Sequence, residues 1–199
     1  MGVAAAVARQ SSTRDRRYDR HRDRAKETPV TGADLIIDAF GRIRELVHHA
    51  ADGMSAPQLA ERVDDGANSI AWLLWHLTRI QDDHVAEVAG TEQVWTSTGW
   101  AGRFGLPFDT RATGYGHDSD EVAAVRVDSA ELLTGYHDAV YQRTIDYVKA
   151  LGDADFDRVV DTAWNPPVTL GVRLVSVISD GLQHAGQAAF VRGILTRRA

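Results

Sequence analysis

The chain has 199 residues, a formal net charge of −6 and no cysteine. That length suits one domain with a sizeable core. The missing thiols exclude a disulfide framework and a cysteine-ligated zinc site, so any metal must be held by His, Asp or Glu.

The charge is uneven. Residues 1–28 carry seven Arg and one Lys against three Asp and one Glu, which leaves +4 there and −10 on the remainder. An acidic body argues against nucleic acid as the main partner. No apolar run approaches the roughly 18 residues that span a bilayer, so no membrane partner and a soluble, cytoplasmic protein are expected. Residues 1–28 show no apolar periodicity after 3–7, and 14–26 (RDRRYDRHRDRAK) are almost wholly charged. This is the composition of a disordered basic tail; a nucleic-acid arm and a misplaced translation start are the alternatives. The domain is expected over 29–199.

A first helix is expected over 32–51. Thr31 and Asp34 make a capping box at its start, and Ile36, Phe40, Ile43, Val47 and Ala50 form one apolar stripe. Ser55 and Pro57 mark a short helical piece. The second long helix is expected over 68–88, capped by Asn68 or Ser69. Its stripe is Ile70, Leu73, Leu77, Ile80 and Val88, with His84 in the middle and His76 at the edge. Residues 91–119 form a long connection containing Trp95, Trp100, Phe104, Phe108 and Tyr115. Unpatterned loops of that length are functional or disordered, and so many aromatics argue against disorder. A lid over one end of the helices is expected.

A short helix over 120–126 leads to a third long helix over 129–151. That helix carries Leu133, Tyr136, Val140, Tyr147 and Leu151 on one face, with Gly152 as the residue just past its end. An irregular or strand-like stretch over 156–168 precedes the last helix, 169–196. Four amphipathic helices of about 20 residues make the class all-α and the architecture a four-helix bundle. The pattern alone does not fix the order of the helices.

Asp180 and His184 stand four residues apart, on the same helical face as Leu170, Val177, Ala188, Val191 and Leu195. An ionised carboxylate is costly to bury without a partner. A metal would satisfy it, and so would an ion pair with Arg or with protonated His184. Two ligands on one helix and a third from a facing helix would make a catalytic-type metal site. His76 and His84 are both candidates for that third position. His48, His49, His117 and His137 fall on solvent-leaning faces or in loops, and no role is expected of them. No nucleophile elbow, phosphate-cradling loop or dinucleotide fingerprint is present.

The segments NSIAWLLWHLTRIQDDHV, GWAGRFGLP, TGYGHDSDEVAAV and DGLQHAGQ resemble the DinB-like superfamily, and within it the actinobacterial branch of mycothiol-dependent enzymes. The resemblance runs from about residue 31 to 196. It implies a bundle in up-down-down-up order, with a long aromatic-rich connection between the second and third helices. It also implies a divalent metal held by three residues, which fall on His76, Asp180 and His184, and so prefers His76 to His84. Many members have His where this chain has Asp180. The carboxylate is similar to the maleylpyruvate isomerase variant, where Glu serves; it keeps the ligand and lowers the charge of the site by one.

Zinc is the metal this resemblance implies, with nickel as the alternative. The implied function is an S-transferase or isomerase that uses mycothiol or a similar low-molecular-weight thiol on an electrophilic small molecule. A metal-dependent hydrolase and a non-catalytic metal-binding or stress-associated module are the competing readings, and a homodimer is left open. Trp100 and Tyr115 are expected in the substrate pocket, Arg79 and Arg192 toward an anionic cosubstrate, and Gln187 behind His184.

Overall fold

A computed structural model describes residues 29–198, so the tail expected over 1–28 lies outside the described residues. The compact body begins at Thr31 and is mostly helical, all-α in class. α1 (Gly32–Ala51) opens on the reciprocal capping box of Thr31 and Asp34 and buries Phe40, Ile43, Val47, Ala50 and Ala51. α2 (Ala56–Ala60) has Pro57 in its first turn and buries Leu59.

α3 (Ile70–Ala89) starts where Ser69 Oγ accepts the Trp72 N–H at 3.1 Å, and ends at Gly90, which takes the left-handed conformation that glycine adopts at little cost. Every residue from 70 to 79 is buried. The first half of α3 is therefore enclosed all round, and a one-sided stripe misjudges it. His84, expected in mid-stripe, has 34% of its side chain exposed and meets Arg173 and Glu87 instead.

The long connection is not structureless. It holds α4 (Val94–Ser97) and α5 (Trp100–Phe104), and α6 (Ser119–Ala124) follows it. Trp95 and Phe104 are buried against Tyr136. Buried Asp82 pins the start of the connection by accepting the N–H of Val94 (2.9 Å), the N–H of Trp95 (2.7 Å) and the hydroxyl of Tyr136 (2.9 Å).

α7 (Ala130–Lys149) ends at Ala150. Gly152 does not close it in a left-handed conformation: its φ is −93°, and it begins the 3-10 turn Asp153–Asp157. β1 (Val159–Asp161) and β2 (Val168–Thr169) pair antiparallel and lead into α8 (Leu170–Arg198). Among the described residues, no helix is long and apolar enough to cross a membrane.

α3 packs against α7 and α8, and α1 packs against the same two helices, around one core that includes Phe40, Ile43, Leu73, Leu77, Tyr136, Val140, Leu174 and Val177. Specific pairs mark each seam. The Gly32 N–H reaches Asp153 (3.3 Å), and Arg44 and His48 meet Asp138 (2.6 and 2.8 Å). The Gln81 amide donates to the Thr144 hydroxyl (2.8 Å), and the Tyr147 hydroxyl to the Val88 carbonyl (3.3 Å). Arg173 meets Glu87 (2.7 Å), and a Cβ on Gly181 would stand 3.0 Å from Ile43.

His137, expected at the surface, is wholly buried in the α3–α7 seam. The Thr78 hydroxyl donates to the Leu74 carbonyl, so its oxygen accepts the Nδ1–H of His137 at 3.1 Å, and Nε2 has no partner among the described residues. Burial pushes this imidazole down to about 3. The buried face of α7 is wider than the apolar letters suggest, because His137 and Thr144 lie in it beside Tyr136 and Val140.

Candidate metal centre

Because α3 and α8 pack together, the histidine of one meets the Asp–His pair of the other. One donor atom from each of His76, Asp180 and His184 lies within 4.8 Å of the other two. The rings of His76 and His184 meet edge to face, with centroids 4.8 Å apart. His76 is buried, whereas the side chains of Asp180 and His184 are 30% and 19% exposed. The cluster is closed toward α3 and open to solvent on the α8 side.

Each ring has one nitrogen already committed. His76 Nδ1 lies 2.6 Å from the carbonyl oxygen of Thr113, which can only accept, so Nδ1 carries the proton and Nε2 presents a lone pair. His184 Nδ1 lies 2.9 Å from Oε1 of Gln187, one turn later, while its Nε2 stands 3.4 Å from Asp180 Oδ1. An outer hydrogen bond of this kind sets which nitrogen is free to bind a metal. Burial, above all, lowers the His76 imidazole below its ordinary value. Asp180 holds His184 above it; burial opposes this and Gln187 adds to it.

Asp180 Oδ2 is buried and has no hydrogen-bond partner among the described residues. A partnerless carboxylate oxygen is an unusual thing to find inside a protein. Here it lies in one cluster with two imidazoles whose Nδ1 atoms are spoken for. Two imidazole nitrogens and a carboxylate form an ordinary donor set for zinc and similar divalent ions, and leave coordination positions open. The residues fit the group.

An aromatic shell surrounds the cluster. Trp72, one turn before His76, stacks on its ring at 4.5 Å and turns its edge toward His184 at 6.1 Å. Its indole N–H donates to His117 Nδ1 (3.2 Å), and His117 lies on Trp75 (5.8 Å) and Phe108 (4.6 Å). His117, of which no role was expected, therefore belongs to the wall of this site. Gly114 closes over His76 with φ +93°; a Cβ there would stand 2.7 Å from His76 Nδ1, so only glycine fits. The i, i+4 spacing of Trp72 and His76 was readable in the sequence, but the approach of residues 112–117 to them carried no periodic signal.

Arg79, Arg192 and Trp100 make their contacts elsewhere. Arg79 is wholly buried, donating to the Ala112 carbonyl (3.1 Å) and to Gln93 (2.8 Å), so it cannot face an incoming anion. Arg192 donates to the carbonyls of Asp52 and Ala50 at the end of α1. Trp100 packs against Tyr136 (5.7 Å) with Arg103 over its ring, and Tyr115 is 90% exposed. Charge and aromaticity in a loop or on a helix edge do not say which way a side chain turns.

Residues 35–197 match the mycothiol-S-transferase family. A crystal structure of a conserved protein from Enterococcus faecalis is similar, at 28% sequence identity and a TM-score of 0.78, over 82% of this chain and 96% of that one. No curated protein matches the chain. The chain belongs to the mycothiol-S-transferase family, of DinB-like type.

Proposed function

We propose that this family member is a metal-dependent S-transferase that joins mycothiol, or a similar small thiol, to an electrophilic small molecule. Zinc would be held by Nε2 of His76, Nε2 of His184 and the carboxylate of Asp180. The observation that carries this reading is the buried, partnerless Oδ2 of Asp180 beside two imidazoles whose Nδ1 atoms are already bonded. A divalent ion bound there supplies a Lewis-acid centre that favours the thiolate, the nucleophilic form of a thiol.

The chain's own residues prepare that centre. Burial disfavours the charged His76 ring, the Thr113 carbonyl holds its proton on Nδ1 so that Nε2 is free, and Gln187 orients His184 through its own Nδ1. Asp180 brings a negative charge that a third histidine would lack. Trp72 and Gly114 cover the His76 side, so an incoming thiol reaches the cluster past the exposed edges of Asp180 and His184. The net change replaces S–H and C–X bonds by S–C and H–X, where X is the group leaving the electrophile.

We read the four long helices as an up-down-down-up bundle. Contacts of 41 with 141 and 48 with 138 run in opposite senses along α1 and α7, whereas 78 with 137 and 88 with 147 run in the same sense along α3 and α7. Pairs 76 with 184 and 87 with 173 run oppositely, and 43 with 181 and 50 with 192 run together. A cytoplasmic location goes with this reading, because thiols are kept reduced there.

Elemental analysis of the purified protein, followed by conjugation assays with mycothiol, bacillithiol and glutathione on a generic electrophile, tests the function. Bound zinc, and a thiol-dependent rate abolished by chelator, are expected. A metal-free protein indifferent to chelator, or rates equal to the uncatalysed reaction with all three thiols, would overturn it.

A further inference from the structure

Arg79 follows His76 by three residues on α3, on neighbouring surface of the helix. Its guanidinium is wholly buried, a costly placement unless its donors are matched. Nε donates to the Ala112 carbonyl (3.1 Å), and Nη1 donates to Gln93 Oε1 (2.8 Å) and, longer, to the Tyr136 hydroxyl (3.4 Å), while buried Nη2 has no hydrogen-bond partner among the described residues. Asp82 Oδ2 stands 3.7 Å away, and the Trp95 ring lies 5.0 Å beneath the cation. Arg79 thus ties the near end of the long connection, at Gln93, to its far end, at Ala112.

The next two residues of that far end touch His76. Thr113 gives its carbonyl to Nδ1, and Gly114 lies against the ring in a backbone conformation that other residues rarely adopt. With the Ala112 carbonyl held on one side and Gly114 seated on the other, the Thr113 peptide has little freedom to turn. A histidine in water that carries one proton prefers it on Nε2, the nitrogen the metal site needs bare. The Thr113 carbonyl reverses that preference, and does so only while residues 112–114 stay in place.

We infer that Arg79 is a positioning residue for His76: by holding the strap 112–114 it fixes the proton on Nδ1 and leaves Nε2 free as a ligand. The inference deepens the metal reading and rests on it for the effect on zinc, though not for the position of the proton. A plainer role, in which Arg79 only balances Asp82 in the core, makes a different prediction.

Long-range 1H–15N correlation spectra of the metal-free, histidine-labelled protein report which ring nitrogen carries the proton, and competition with a chromophoric chelator reports zinc affinity. In the wild type, His76 is expected as the Nδ1–H form. Arg79→Gln is expected to move it toward the Nε2–H form and to weaken zinc by about 10- to 100-fold, the usual cost of losing an outer partner. Arg79→Lys keeps a positive charge against Asp82 while losing the Nε bond to Ala112, and serves if the first variant does not fold. Gly114→Ala leaves the Arg79–Asp82 pair alone and is expected to give the same two changes. Folded Arg79 variants that keep His76 in the Nδ1–H form with wild-type zinc affinity would overturn the inference. A wild type that binds no zinc would overturn the metal reading alone; the ring-nitrogen signals would still decide the role of the strap.

Discussion

Oδ1 of Asp180 lies 3.4 Å from Nε2 of His184, one helical turn away, while Oδ2 of the same carboxylate is shut from water without a partner. In the metal-free protein the near pair is an ion pair whenever His184 is protonated, and Asp180 favours that state. Both side chains are partly exposed, so the pair contributes only about 0–1 kcal/mol. Asp180→Ala is therefore expected to change metal-free stability by less than about 1 kcal/mol in urea denaturation. Zinc affinity should fall by more than the roughly 10- to 100-fold that loss of an outer partner costs. A metal-free stability loss of several kcal/mol would instead mark Asp180 as a structural ion partner.

His137 makes folding pH-dependent. Its folded value is about 3, because burial disfavours the charged ring, whereas an unfolded histidine titrates near ~6.5. Below that pH the unfolded chain takes up a proton that the folded chain refuses. The stabilising contribution is complete above ~6.5 and is lost as pH falls toward 3, by up to roughly 1.4 kcal/mol per unit. Urea denaturation at pH 7, 6, 5 and 4 should show a shallower pH slope for His137→Asn than for wild type.

Asp82 accepts two backbone N–H groups and the Tyr136 hydroxyl, with Arg79 beside it, all out of water. Asp82→Ala would strip all four at once and leave a buried guanidinium opposed by no charge. A loss of roughly 3–5 kcal/mol is expected. It is read as a lower denaturation midpoint, with a large change in the near-ultraviolet signal of Trp95.

Two glycines of α8 should respond in opposite ways to the same change. A Cβ on Gly186 meets nothing within 4 Å, so Gly186→Ala should gain the roughly 0.5–1 kcal/mol that alanine brings to a helix interior. A Cβ on Gly181 meets Ile43 at 3.0 Å, where α1 and α8 approach closely. Gly181→Ala should lower the thermal midpoint, and adding Ile43→Val, which removes the colliding methyl, should recover most of the loss.

The helices were legible because their ends carry chemistry of their own. The Thr31–Asp34 box and the Ser69 cap mark starts by side-chain groups that satisfy free N–H donors, and these survive in the fold. Phase was legible only where a helix has one wet side. α1 obeys its stripe, but α3 is buried all round from 70 to 79, so periodicity could not rank His76 above His84; the family resemblance did. The strap over His76 was out of reach for another reason. Residues 112–117 pack through a carbonyl, a glycine and a ring nitrogen, none of which leaves a mark in hydrophobic pattern. The same blindness aimed Arg79 at an anionic cosubstrate, because nothing in the letter shows that its partners are the Ala112 carbonyl and Gln93.

His76 and His184 are 108 positions apart in the sequence, yet their rings meet in the fold. During synthesis the donor on α3 is made, and can bury itself, long before the pair on α8 has left the ribosome. Closing so long a loop costs conformational entropy that only docking of the last helix repays. The cluster is unfinished until α8 docks, so any metal it holds would be taken up only after that step.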